Sequence, residues 1–199
     1  MRKAIHHLSK SDPILRAIIA RVGPCRIQYG LPEFHSLAES IVYQQLNGRA
    51  AETIFERFAT LTGDPVTPDG VLKLTDPQMR SAGLSKQKSS YLRDMAQRAA
   101  RGELDFSKLH TLSDDEVIKH LTQVKGVGPW TAQMFLIFTL RRVNVLPTGD
   151  FGVQMAIKKH YKKRKLPKPL QMEKIARAWE PYRSIACWYL WRSLDLKEK

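Results

Sequence analysis

The stretch Leu121-Thr-Gln-Val-Lys-Gly-Val-Gly-Pro-Trp-Thr-Ala-Gln133 combines residue types that can hold an anion. Two glycines one residue apart, Gly126 and Gly128, allow positive φ and leave no Cβ in the way. Pro129 is preorganised for the first position of a following helix, where its missing N–H costs nothing. The free N–H groups of the turn and the new helix then point outward and suit a backbone phosphate. An ordinary tight turn between two helices would also use these residues. Downstream, in Leu146-Pro-Thr-Gly-Asp150-Phe-Gly-Val-Gln154, Pro147 and Gly149 make a turn and Asp150 sits where a helix begins. Aspartate there is a favoured N-cap. The same place keeps a carboxylate ionised, which suits stabilisation of a cationic transition state beside a nucleic-acid groove.

The charge agrees with a polyanionic partner. The 199 residues carry 33 Lys and Arg against 19 Asp and Glu, a net +14, which points first to nucleic acid and second to an anionic membrane surface. Lys158, Lys159, Lys162, Lys163, Arg164, Lys165 and Lys168 crowd into one run. That run reads equally as a phosphate-contacting surface or as a solvated helix end with a loop. It lacks the apolar stripe a membrane-surface helix needs. Three of the four tryptophans, Trp179, Trp188 and Trp191, lie near the end of the chain. Trp179 is expected in the core. His35, His110 and His120 have no metal-ligand spacing, and solvated or capping roles are expected for them.

The elements that must position these groups all read at helical period. Ile14, Leu15, Ile18, Ile19 and Val22 fall on one helix face, with Asp12 as cap and Pro13 at the first helical position. Helices are expected over 34–46 and 50–61, joined near Asn47 and Gly48, with a loop over 63–68. Short helices follow from Pro68 and Asp76, and a longer one spans 85–100. Ser113 and the acidic residues after it cap a helix over 117–124. A buried helix over 129–140 leaves the glycine turn, and helices over 151–161, 172–179 and 184–194 finish the set. No alternating strand or repeat is present. A hydrophobic fraction of 43% and a charged fraction of 26% fit a globular chain. The longest apolar run, Met134 to Phe138, is far short of a membrane span, and the start has no apolar h-region. With only Cys25 and Cys187, the chain cannot make a disulfide framework or a four-cysteine zinc or iron–sulfur site. A reducing intracellular setting is expected, bacterial cytoplasm or eukaryotic nucleus.

Glycine turn, buried helix, loop and Asp-initiated helix together resemble the helix-hairpin-helix superfamily of DNA glycosylases, and within it the 3-methyladenine DNA glycosylase II family. The landmarks are Ser40-Ile-Val-Tyr-Gln-Gln-Leu46, Gly83-Leu-Ser-x-x-Lys88, the 121–133 hairpin, Pro147-Thr-Gly-Asp150, and Trp179-x-Pro-Tyr-Arg-Ser184 leading to Trp191. They cover about 34–194. The resemblance implies an all-α, bilobal fold of about ten or more short helices. One lobe would be the middle helices, about 48–125, and the other both chain ends, meeting at a cleft near Asp150. It implies a monomer that flips an alkylated purine, such as 3-methyladenine or 7-methylguanine, out of duplex DNA and hydrolyses its N-glycosidic bond.

Residue by residue, Asp150 matches the family's catalytic aspartate. Trp130, Phe151 and Trp191 match a pocket lining, with Tyr43 a further candidate and Met134 at the rim. Aromatic faces attract the cationic alkylated base, by up to ~2 kcal/mol when desolvated. Gly126, Val127 and Gly128 match the phosphate-binding hairpin, with Lys125, Thr131 and Lys88 also on the DNA side. Gln44 and Gln45 match the region that fills the gap left by a flipped base, Asn47 is near it, and Leu84 matches a wedge. Relatives hold a monovalent cation, Na⁺ or K⁺, on hairpin carbonyls, here those of Thr122, Val124 and Val127; no other cofactor is implied. Trp130 stands where lyase members carry a catalytic lysine, so water rather than a Schiff base is implied. A non-catalytic DNA-damage-binding module on the same fold, or a glycosylase for deaminated or oxidised bases, remains open from sequence.

Overall fold

The computed structural model describes residues 1–30, 33–46 and 48–196. Among them are twelve α-helices, two short 3-10 turns and no strand, an all-α fold. No described helix is long and apolar enough to cross a membrane. The chain forms two compact units, one of Met1–Gln28 with Arg141–Lys199, the other of Tyr29–Leu140. The middle unit thus extends beyond 48–125 at both ends.

The unit of the chain ends holds α1 (Arg2–Ser11), α2 (Pro13–Val22), α10 (Phe151–His160), α11 (Pro169–Ala176) and α12 (Arg183–Leu194). Sequence periodicity does not reveal α1, which buries only Ala4 and Leu8. The 172–179 helix is in fact α11 followed by a 3-10 turn, Arg177–Trp179. The central member is α12, buried from Ser184 to Leu190 and again at Ser193, and it packs on α2 and α10. Its first turn fastens the segment that leads to α10: the Ser184 hydroxyl donates to the Arg142 carbonyl at 2.7 Å and accepts from Val145 N–H at 3.0 Å. Trp179 is fully buried, as its core assignment requires.

Asp12 is the polar centre of this unit. It caps α2, accepting from Ile14 and Leu15 N–H on Oδ1 at 2.8 and 3.1 Å. Its Oδ2 accepts from the Tyr161 hydroxyl at 2.5 Å and from Trp179 Nε1 at 2.9 Å. A carboxylate at 6% exposure is tolerable only with such a full set of donors. Burial, together with the bond and charge of Asp12, pushes the Tyr161 hydroxyl far above its ordinary pKa.

The middle unit holds α3 (Glu33–Tyr43), α4 (Gly48–Thr62), α5 (Pro68–Lys73), α6 (Asp76–Ser81), α7 (Lys86–Ala100), α8 (Asp114–Leu121) and α9 (Pro129–Phe138). A 3-10 turn, Phe106–Thr111, precedes α8. Leu37, Ala38, Ile41 and Val42 of α3 are completely buried, and α3 packs on α4, α7 and α9. Burying each of the larger apolar side chains stabilises by about 1.5–3 kcal/mol. Ser113 and Glu116 form the capping box of α8, with Ser113 N–H donating to Glu116 at 2.8 Å and Glu116 N–H to Ser113 at 3.3 Å. His35 is not solvated as expected. It is 7% exposed, accepts from Val66 N–H at 3.0 Å and meets the Phe55 ring edge-on.

Candidate active site and DNA-binding surface

The hairpin between α8 and α9 belongs to the middle unit. Val127 N–H closes it on the Val124 carbonyl at 3.0 Å. Its two glycines differ. Gly126 has φ +79°, and a Cβ there would lie 2.2 Å from the Tyr91 ring. Gly128 caps α9 with φ −94° and ψ 174°, and a Cβ would meet nothing within 4 Å. Only Gly126 is therefore demanded by the fold, correcting the expectation that both glycines serve positive φ. Lys125 N–H donates to Asp94 Oδ2 at 3.0 Å. Asp94 is held below the ordinary carboxyl pKa: burial acts to raise it, and the Lys125 amide and the Arg98 guanidinium outweigh burial. The Lys125 ammonium remains largely exposed. Val127 and Thr131 are buried, so their side chains are not on the DNA side; Val127 offers only backbone.

The Gln44–Gln45 turn follows α3. Gln44 Nε2 donates to the Gly126 carbonyl at 2.9 Å, so this half-buried side chain braces the hairpin. Gln45 is exposed and has φ +59°, a left-handed conformation uncommon outside glycine and asparagine and often found at functional turns. Lys88 does not reach outward either. Its Nζ donates to the Val42 and Gln44 carbonyls at 2.6 and 2.8 Å, and burial lowers its pKa. Leu84 is 3% exposed, so it is core and cannot wedge into a duplex. Asn47 lies outside the described residues. Of the expected gap fillers among the described residues, Gln45 alone has the exposure the role needs.

Beside this turn is a cavity of about 560 Å³ lined by Ser40, Tyr43, Gln44, Gln45, Leu46, Trp130, Thr131 and Met134. Three expected pocket residues, Tyr43, Trp130 and Met134, are thus brought together. Trp130, at the second position of α9, is 47% exposed, on a helix whose following residues Thr131, Ala132, Phe135, Leu136 and Ile137 are buried. Leu46, 39% exposed, also lines this cavity, and nothing in the sequence separates it from a core leucine.

Asp150 lies in the other unit, N-capping α10. Its Oδ1 accepts from Val153 N–H at 2.7 Å and from Trp191 Nε1 at 2.8 Å, and the residue is 7% exposed. The turn before it closes through Thr148 N–H on Leu146 O and Asp150 N–H on Pro147 O, both 3.0 Å. Trp191, expected to line a pocket, thus also anchors the carboxylate. Phe151 is 66% exposed. Gly152 gives this arrangement its room: a Cβ would lie 2.9 Å from Trp191 Cδ1 and 3.2 Å from Asp150 Oδ1. Its need for a bare Cα has no sequence signal. Desolvation, with Asp150 as the second cause, pushes the buried Cys187 thiol well above its ordinary pKa. Lys162, Lys163, Arg164, Lys165 and Lys168, beyond the end of α10, are exposed.

Residues 38–181 match the family model described as "HhH-GPD superfamily base excision DNA repair protein". DNA-3-methyladenine glycosylase 1 of Schizosaccharomyces pombe is 31% identical over 204 residues, spanning 100% of this chain and 90% of that protein. The structure of the Schizosaccharomyces pombe 3-methyladenine DNA glycosylase in complex with abasic DNA superposes with a TM-score of 0.85 at 31% identity, over 98% of this chain and 97% of that one. A DNA-3-methyladenine glycosidase from Bacillus halodurans gives a TM-score of 0.82 at 35% identity, over 93% and 85%. The chain belongs to the HhH-GPD superfamily of base excision DNA repair proteins.

Proposed function

We propose that this protein is a DNA glycosylase that hydrolyses the N-glycosidic bond of alkylated purines in duplex DNA, the first step of base excision repair. The observation that carries the reading is the buried carboxylate of Asp150, held by the Val153 amide and the Trp191 indole, in a chain of net charge +14. A purine alkylated at N3 or N7 bears a positive charge and departs as a neutral base, so no general acid is required. The bond from C1′ to the base nitrogen breaks with its electron pair going to the base, and an oxocarbenium develops on the sugar. A fixed anion lowers that barrier by preorganised electrostatics. Water adds to C1′, giving up a proton that Asp150 can accept. The α10 amide and the Trp191 indole keep Asp150 from rotating away.

The middle unit supplies the grip. The hairpin at 126–128, with Lys125, takes a backbone phosphate without reading sequence. Gln45 fills the space of the extruded base, and Trp130, Tyr43 and Met134 offer faces on which a flat cation stacks. A monovalent cation fits the hairpin. Among the described residues no backbone hydrogen bond runs to the Thr122 or Val127 carbonyls, and the Val124 carbonyl accepts one. These oxygens would hold the ion, which would add positive charge for the phosphate. Trp130 has no amine, so the reaction stops at an abasic site.

The test is incubation of the purified protein with methylated duplex DNA. Free 7-methylguanine and 3-methyladenine with an intact, alkali-labile strand are expected. A covalent adduct trapped by borohydride in good yield would show a Schiff-base enzyme, and binding without base release would show a damage-recognition protein.

A further inference from the structure

The middle unit's two DNA-facing turns, the hairpin and the Gln44–Gln45 turn, are both fastened to α7, by residues spaced three apart. Lys88 Nζ donates to Val42 O at 2.6 Å and Gln44 O at 2.8 Å, closing the end of α3 and fixing the backbone on which Gln45 takes its positive φ. Tyr91 lies against the face of Gly126 that a Cβ would fill. Asp94 accepts from the Lys125 amide at 3.0 Å. Gln44 then ties the turns together through its bond to Gly126 O at 2.9 Å. Steps of three residues keep Lys88, Tyr91 and Asp94 on one side of the helix. A helix is a stiff spacer, rising 1.5 Å per residue, so both turns are set at a fixed separation.

We propose that the Lys88–Tyr91–Asp94 side of α7 is a positioning element for base extrusion, holding Gln45 at a set distance from the phosphate grip, with Lys88 acting through Gln45. This rests on the reading that the protein extrudes a base from duplex DNA. An exposed residue in a left-handed conformation relaxes unless its surroundings fix it. A half-buried ammonium on two carbonyls is a strong restraint, because hydrogen bonds to a charged donor are about twice as strong as neutral ones. Holding Gln45 ready before DNA arrives lowers the entropy lost when it enters the stack.

Lys88→Met keeps the aliphatic stem and removes the clamp. Two readouts are taken with protein saturating: fluorescence of a 2-aminopurine placed beside the lesion, which reports unstacking without chemistry, and single-turnover release of 7-methylguanine. Both are run with the lesion in a stable pair and in a bulge that is already unstacked. Lys88→Met is expected to lower extrusion and release roughly tenfold in the stable pair and much less in the bulge. It should add nothing when Gln45 is already Ala. Lys86→Met removes one charge from the same helix without touching the clamp, and should not alter this ratio. Equal losses in both contexts, or full additivity with Gln45→Ala, would overturn the proposal, even with an unchanged melting temperature. Lys88-dependent unstacking without release of any base would leave the positioning role standing and sink the glycosylase reading.

Discussion

The unit of the chain ends contains the same device twice. Asp12 and Asp150 each cap a helix, each is nearly buried, and each accepts from a tryptophan indole. What surrounds them differs. Asp12 has both oxygens engaged and is sealed beneath Trp179, which has no exposure, and the largely buried Tyr161. Asp150 likewise accepts from an amide and an indole, but its aromatic cover is open. Trp191 is half-buried and Phe151 stands two-thirds exposed next in the chain. The comparison separates a carboxylate enclosed by buried aromatic residues, which joins helices, from one flanked by open aromatic residues, as the proposed catalytic role requires. Burial of the carboxylate itself does not distinguish them; the exposure of the aromatic residues around it does.

The largest stability effect is expected at Asp12. Asp12→Ala removes a cap and leaves the Tyr161 hydroxyl and the Trp179 indole without their acceptor, a cost of about 3–5 kcal/mol. The melting temperature should fall by roughly 10 °C, while the rate per folded molecule at low temperature stays near wild type. A large drop in that rate with unchanged melting would reverse the assignment of the two aspartates. Trp191→Phe keeps a flat ring and removes the bond to Asp150. It should slow single-turnover base release about tenfold, with DNA affinity little changed. Loss of affinity with an unchanged rate would make Trp191 a stacking face and not an anchor. Gly152→Ala is subtler. Alanine favours a helix over glycine by up to about 1 kcal/mol, but a Cβ 2.9 Å from Trp191 Cδ1 forces the indole to shift, so melting should hold or fall slightly. The added Cβ presses on the Trp191–Asp150 pair, and release should slow a few-fold. A faster or unchanged rate would show that the indole yields freely.

Much of this was legible in the sequence because it depends on residues adjacent in the chain. Asp12-Pro13, Ser113 with Glu116, Gly126 to Pro129 and the turn into Asp150 are local patterns, and the caps and turns formed where they were read. The partners of Asp12 were not legible. Tyr161 and Trp179 come from 149 and 167 residues away, and nothing near Asp12 signals them. The same distance hid the roles of Gln44 and Lys88, whose partners lie 82 and 46 residues off. Their polarity suggests DNA contact, whereas the fold turns both onto backbone carbonyls. Leu84 shows the opposite limit: an apolar residue that could wedge into a duplex and one that fills a core look alike until burial is known. Gly126 and Gly128 look equivalent in sequence, and the positive φ of Gly126 and the nearby Tyr91 ring separate them.

The most direct measurement is single-turnover release of 7-methylguanine from duplex DNA by Asp150→Asn, with melting and DNA affinity followed on the same preparation. The amide retains the size and most of the capping bond, so stability should change by about 1 kcal/mol or less. Affinity should hold or increase, since a negative charge facing phosphates is removed. The rate should fall by about 10²–10³ or more, the cost of losing a preorganised group aimed at developing charge. Release at close to the wild-type rate from a folded, DNA-bound Asp150→Asn protein would contradict the assignment of Asp150 as the catalytic carboxylate.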